Sequence, residues 1–203
     1  MYYDPRAGDH GLAIDPLKAL VVPRPIAWIS TVSPAGVVNL APFSFFNLVS
    51  EDPAMCVFGP GGRKRDRPVK DTRANVEATG EFVVNLATWD TRTQMNATSA
   101  ELPVDTDELA AAGLTPVPAR AVRPPWVGES PVHHECRLWR VVELPTADPA
   151  EPSAAVFGEV IGVHVDDALI AEGRVDITRA RPLGRLGYAL YTVVDQAFRM
   201  PRP

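Results

Sequence analysis

Lys70, Asp71 and Thr72 stand together where a glycine-rich, basic stretch (59–68, GPGGRKRDRP) gives way to an alanine-containing segment. That segment predicts a helix, capped by Asp71 or Thr72, filled by Ala74, Val76, Ala78 and Thr79, and stopped by Gly80. The start of a helix offers unpaired N–H groups and the positive end of the helix dipole, so it favours an anion. A lysine and a hydroxyl beside those groups complete a cradle for a phosphate, although a capped helix with a solvated lysine fits the same letters. Upstream, Asn39 to Asn47 (NLAPFSFFN) interleaves small polar groups with aromatic rings. Such a stretch can line a flat, polar ligand, or it can be a barrel strand with Phe inward and Ser/Asn outward. The basic run Arg63 to Arg67 reads first as a solvated loop.

Other chemistries are missing their residues. The chain has no Gly-x-Ser-x-Gly elbow, no P-loop and no Gly-x-Gly-x-x-Gly between a strand and a helix. His10 and His164 stand alone in the sequence, and His133 and His134 are adjacent, so on a strand they face opposite ways. No cluster has metal-ligand spacing, and no metal site is expected.

The formal net charge of −5 offers no basic field for nucleic acid or anionic lipid. No apolar run approaches the roughly 18–20 residues of a membrane span, and no signal peptide is evident, so a cytoplasmic protein is expected. Cys56 and Cys136 are too few to staple a chain of 203 residues and are expected as buried thiols. Length and the absence of a linker predict one domain over residues 1–203.

The elements that must position these residues are mostly strands. Twenty-one prolines argue against long helices. Strands are predicted at 25–32, 37–41 (ending before Pro42), 43–50, 54–58, 81–87, 132–139 and 155–165, with a last one within 187–194. Short helical pieces are expected at 93–100 and 105–112, and a proline-rich surface crossing at 114–131. Trp89, Trp126 and Trp139 read as exposed. The order gives a mainly β fold, a closed or nearly closed antiparallel barrel with peripheral helices.

Taken together, several segments resemble the flavin reductase-like family, whose fold is an FMN-binding split barrel. They include Arg24–Val32, Asn39–Asn47, Asp52–Met55, Lys70–Val76, Gly80–Asn85 and Met95–Ser99, then Glu135-Cys136, Gly158–Val160, His164–Asp167 and Arg185–Tyr188. The likeness runs in order along nearly the whole chain. It implies a six-stranded antiparallel Greek-key barrel that forms a homodimer and holds FMN near the subunit interface. By the same resemblance Ser30, Thr31, Asn39, Ala41, Pro42, Ser44, Phe45 and Asn47 line the flavin, and Lys70, Asp71 and Thr72 meet its phosphate. His164, Arg185 and Tyr188 correspond to catalytic positions on the open, nicotinamide side.

The implied activity is NAD(P)H:flavin oxidoreduction, with nicotinamide as co-substrate and an oxygenase as a possible partner. Cofactors themselves carry that chemistry, so the missing triads and carboxylate pairs are consistent with it. The same scaffold admits an FMN-dependent oxygenase or other flavoenzyme acting on an organic substrate, or a flavin-binding module without turnover. FAD is an alternative to FMN. The basic loop at 63–67 would then reach a second phosphate, on its adenosine side or on NADPH.

Overall fold

The computed structural model describes residues 1–64 and 67–202, so Arg65 and Asp66 of the basic loop lie outside the described residues. In chain order the strands begin with β1 (Arg24–Pro25), β2 (Ala27–Val32), β3 (Val38–Phe43), β4 (Phe46–Glu51) and β5 (Ala54–Phe58). Helix α1 (Asp71–Thr79) and β6 (Glu81–Leu86) follow, then α2 (Arg92–Ala97) and α3 (Glu108–Ala111). The rest comprises β7 (Pro116–Val117), β8 (Trp126–Val127), β9 (Val132–Leu144), β10 (Ser153–Val165), β11 (Ile170–Ala171), β12 (Arg174–Val175), β13 (Leu183–Gly187) and β14 (Leu190–Val193).

One antiparallel ladder dominates, in the order β3-β2-β6-β9-β10-β5-β4. Its two outermost strands are consecutive in the chain and joined only through Ser44 and Phe45. Two residues span only about 7 Å, so the sheet must curl until its edges meet. β3 and β4 lie at opposite ends of the ladder and do not pair, which leaves the barrel split along that seam. The ladder counts seven strands where six are expected, because the stretch 38–51 bends at Ser44–Phe45 and registers as two. The β9–β10 hairpin inserted between β6 and β5 makes the connection a Greek key.

The barrel interior is apolar: Ala27 and Ile29 of β2, Phe43, Phe58, Phe82 and Val84, Cys136 and Val156 pack with Val76 of α1 in one cluster. β2 and β6 are buried on both faces. Trp28 meets Met95, Leu109 and Val127 in a second cluster, and Val83 meets Val122 and Trp126 in a third. The 114–131 segment is therefore a cover as well as a surface crossing, and Trp126 is buried rather than exposed, while Trp89 and Trp139 are exposed as expected. Cys56 and Cys136 are buried free thiols.

Three expectations are corrected. β3 runs through Pro42, which is tolerated because this strand pairs only with β2 and the missing N–H breaks no second ladder. Lys70, not Asp71 or Thr72, occupies the N-cap of α1; both of its successors lie in the first helical turn. His164 does not stand alone: the β9–β10 register sets it opposite His133.

Gly80 ends α1 with φ 73°, a left-handed position that a residue without Cβ adopts freely. Gly158 serves a different need, because the Phe82 ring lies directly on its Cα. A Cβ there would sit 2.7 Å from Phe82 Cε1 and closer still to Cζ. Gly158→Ala is expected to lower the unfolding free energy by about 1–3 kcal/mol, seen as a lower urea midpoint at unchanged m-value. The double variant with Phe82→Leu should recover part of the loss.

Candidate functional site

The bend that closes the barrel also opens a cavity of about 990 Å³. Pro42, Ser44, Phe45 and Asn47 line it from the bent strand, Gly59 and Gly61 from the loop after β5, and Lys70 from the start of α1. Arg185 and Tyr188 of the β13–β14 hairpin, together with Lys18 and Arg24, complete the wall. The corner is pinned where Gly59 N–H donates to Phe45 O at 2.8 Å. A Cβ on Gly59 would lie 3.2 Å from Phe45 Cβ, so a glycine allows this close approach.

The wall is aromatic and cationic. Lys70 Nζ lies 5.9 Å from the centre of the Phe43 ring, and Arg24 Cζ lies 5.9 Å from that of Phe45. Lys18 and Lys70 make no ion pair with a carboxylate among the described residues, and Asp15 is the acidic residue in the lining. Arg185 donates to Tyr191 Oη and to the Tyr188 carbonyl, and its guanidinium lies 4.4 Å from the centre of the Tyr191 ring. Tyr188 has φ 52°, a costly conformation for a residue with a Cβ, and so the turn holds this ring at the cavity mouth against its preference. Asn47 Oδ1 accepts from Leu48 N–H at 2.9 Å, leaving Nδ2 to donate.

Other expected site residues serve the frame beneath. Thr31 Oγ1 accepts from Asn75 Nδ2 at 3.1 Å, and Ser30 Oγ donates to the Pro125 carbonyl at 2.6 Å. Asn39 is buried; with its NH₂ toward Glu108 Oε2 (3.1 Å), its oxygen accepts from Thr72 Oγ1 at 2.9 Å. Asp71 is buried and paired with Lys64 and Arg67. Thus Thr31, Asn39, Asp71 and Thr72 tie α1 and the basic loop to the barrel, Ser30 ties down the 114–131 segment, and none of the five lines the cavity. Ala41 packs against the interior cluster. Arg63 pairs with Glu151, so the described part of the basic loop is engaged within the protein.

His164 is also outside the cavity. His133 Nε2–H donates to the Val127 carbonyl at 3.0 Å, which leaves His133 Nδ1 as an acceptor for His164 Nδ1–H at 3.1 Å. Both rings stack on Trp126, with centroids at 4.7 and 4.6 Å. Sequence reasoning missed Lys18, Arg24 and the Gly59–Gly61 wall as parts of the site. Arg24 heads one of the matching segments, but nothing local in the sequence marks a side chain that folds back onto the Lys18 and Val21 carbonyls.

The fold is a split β-barrel whose seam opens on an aromatic cavity rimmed by Lys18, Arg24, Lys70 and Arg185. The model for the flavin reductase-like domain matches residues 19–183, and the chain belongs to that family. An uncharacterized protein of Aquifex aeolicus is 39% identical over 173 residues, covering 85% of each chain. Among solved structures, nitrilotriacetate monooxygenase component B from Bacillus cereus superposes with a TM-score of 0.87 at 29% identity, covering 98% of both chains. The 2-nitrobenzoate 2-nitroreductase NbaA of Pseudomonas fluorescens gives a TM-score of 0.80 at 27% identity, covering 92% of this chain and 88% of that one.

Two buried groups near these networks titrate in opposite senses. Burial raises Glu108 to about 7, against the pull of the Leu40 N–H and of Lys64. Burial lowers His133 to about 4. Glu108 binds its proton more readily in the folded state, so its contribution is full below its ordinary pKa near 4.5 and is lost as pH rises to about 7. His133 resists protonation when folded, so its contribution is full above 6.5 and is lost as pH falls to about 4. The two nearly cancel between those limits. In Glu108→Gln the urea midpoint should climb steadily across this window while the parent stays flatter, a divergence of about 1–3 kcal/mol. Parallel profiles would show that Glu108 titrates normally.

Proposed function

We propose that the cavity binds FMN and that the protein is an NAD(P)H:flavin oxidoreductase, the chain acting as a single flavin-binding domain. The observation that carries this reading is the cavity of about 990 Å³ with aromatic walls and, beside the start of α1, the ammonium of Lys70, which has no carboxylate partner among the described residues. Its volume is at the upper end of small-molecule sites, which run to about 1,000 Å³, and suits two planar rings rather than one. The donor set fits the group: a cation and helix N–H groups for a phosphate, phenyl rings for a ring face, and Ser44 and Asn47 for polar edges.

When bound, the flavin supplies a two-electron acceptor and donor of hydride. The protein's part is positioning and electrostatics. Lys70 neutralises phosphate charge at the helix start, and the pinned Ser44–Phe45 corner fixes the plane on which rings lie. Arg185 and Arg24 add positive potential, which stabilises negative charge gathering on a reduced ring system. Tyr188 closes the mouth and excludes water. Exposed Phe45, Leu48 and Val49 at the β4 edge support a homodimer that covers the open seam.

A second reading has FMN-dependent reduction of an organic substrate, favoured by the likeness to a nitroreductase at 27% identity. An oxygenase partner is favoured in turn by the likeness to a monooxygenase component B at 29% identity. Anaerobic addition of NADH or NADPH to the FMN-loaded protein separates these from a non-catalytic module: bleaching at a catalytic rate is expected, and a spectrum that stays oxidised excludes the reductase. Lys70→Ala should weaken FMN at least about tenfold while leaving riboflavin, which lacks the phosphate, unchanged. Equal loss for both flavins would remove Lys70 from the phosphate.

A further inference from the structure

A separate pocket of about 330 Å³ lies between α2 and β14, lined by Trp89, Arg92, Met95, Asn96, Tyr191 and Val193 among others. It shares no lining residue with the larger cavity. Trp89 is partly exposed and carries two guanidinium groups, with Arg92 Cζ 4.0 Å and Arg181 Cζ 5.4 Å from its ring centre. Arg92 Nη1 donates to the Trp89 carbonyl at 2.6 Å, and its other donors have no protein partner among the described residues. Neither arginine has a carboxylate within ion-pair distance among the described residues, although the chain carries five more negative than positive charges.

Arg92 is exposed and spends one donor on the Trp89 carbonyl, which leaves the rest of its planar fork of N–H groups to match a carboxylate at the rim of this apolar concavity. The apolar floor from Met95, Leu183 and Val193 suits a hydrocarbon body, and the volume suits one ring. The geometry points to a binding site here for a small carboxylate with an apolar, single-ring body, held by Arg92 at the rim and by the floor beneath. Tyr191 lines this pocket and also carries Arg185 of the larger cavity, so an occupant would sit two side chains from the proposed flavin site.

Isothermal titration of the full-length protein with benzoate, cyclohexanecarboxylate and benzamide tests the assignment. Saturable binding of both carboxylates is expected, with the neutral benzamide at least about tenfold weaker. Arg92→Gln should weaken benzoate by a similar factor. Asn96→Trp, which fills the pocket from an exposed helix position, should abolish binding, with thermal melting confirming that both variants fold. No saturable heat from either carboxylate, or equal affinity in the parent and both variants, would overturn the proposal. The second outcome would put the anion in the larger cavity, and loss of flavin binding in Lys70→Ala remains a separate readout.

Discussion

A two-residue connection between opposite edges of one sheet governs this molecule. Because Ser44 and Phe45 join strands that lie at the two ends of the ladder, the sheet has no choice but to curl. The same bend prevents β3 and β4 from pairing, so closure of the barrel and opening of the seam are one event. The cavity lies at that seam, and the hydrogen bond from Gly59 to Phe45 holds the corner that forms its wall. Interior packing of Phe43, Phe58 and Phe82 then fills the curled sheet and makes the curvature stable.

Beneath the site lies a buried polar frame. Asp71 takes Lys64 and Arg67, Glu108 takes Leu40 N–H, and Asn39 and Thr72 bond each other. Such a network contributes little net stability over apolar packing, but losing one partner would strand a buried charge. Its effect is positional: it docks α1 and the basic loop at one place on the β2–β3 hairpin. Lys70, one residue before Asp71, is thereby delivered to the cavity without being consumed by the frame.

The β9–β10 hairpin shows how register creates chemistry that spacing hides. Irregularities between Phe157 and Gly158 and between Val160 and Gly162 offset one another, so the register that begins at Ser153 opposite Leu144 is restored where His164 faces His133. Both rings stack on Trp126, and burial of His133 beneath it keeps that imidazole neutral. Glycine contributes in this strand by yielding space to the Phe82 ring at Gly158.

Much of the fold was legible in order. Alternation in 132–139, apolar runs at 54–58 and 81–87, and Gly80 after an alanine-containing stretch report local backbone preference, and local preference is written in neighbouring residues. The stretch 39–47 and Lys70 were legible as chemistry because their residue types suit a polar, phosphorylated ring. What sequence alone left open was which side of each strand faces what. Asn39, Thr31 and Thr72 have the letters of ligand contacts, yet they bond across the contact between α1 and the β2–β3 hairpin. Arg24 and Lys18 have the letters of surface charge, yet the cavity gathers them. Pairing between residues far apart in the chain depends on strand register and on the curl of the whole sheet, and neither is stored in any local segment.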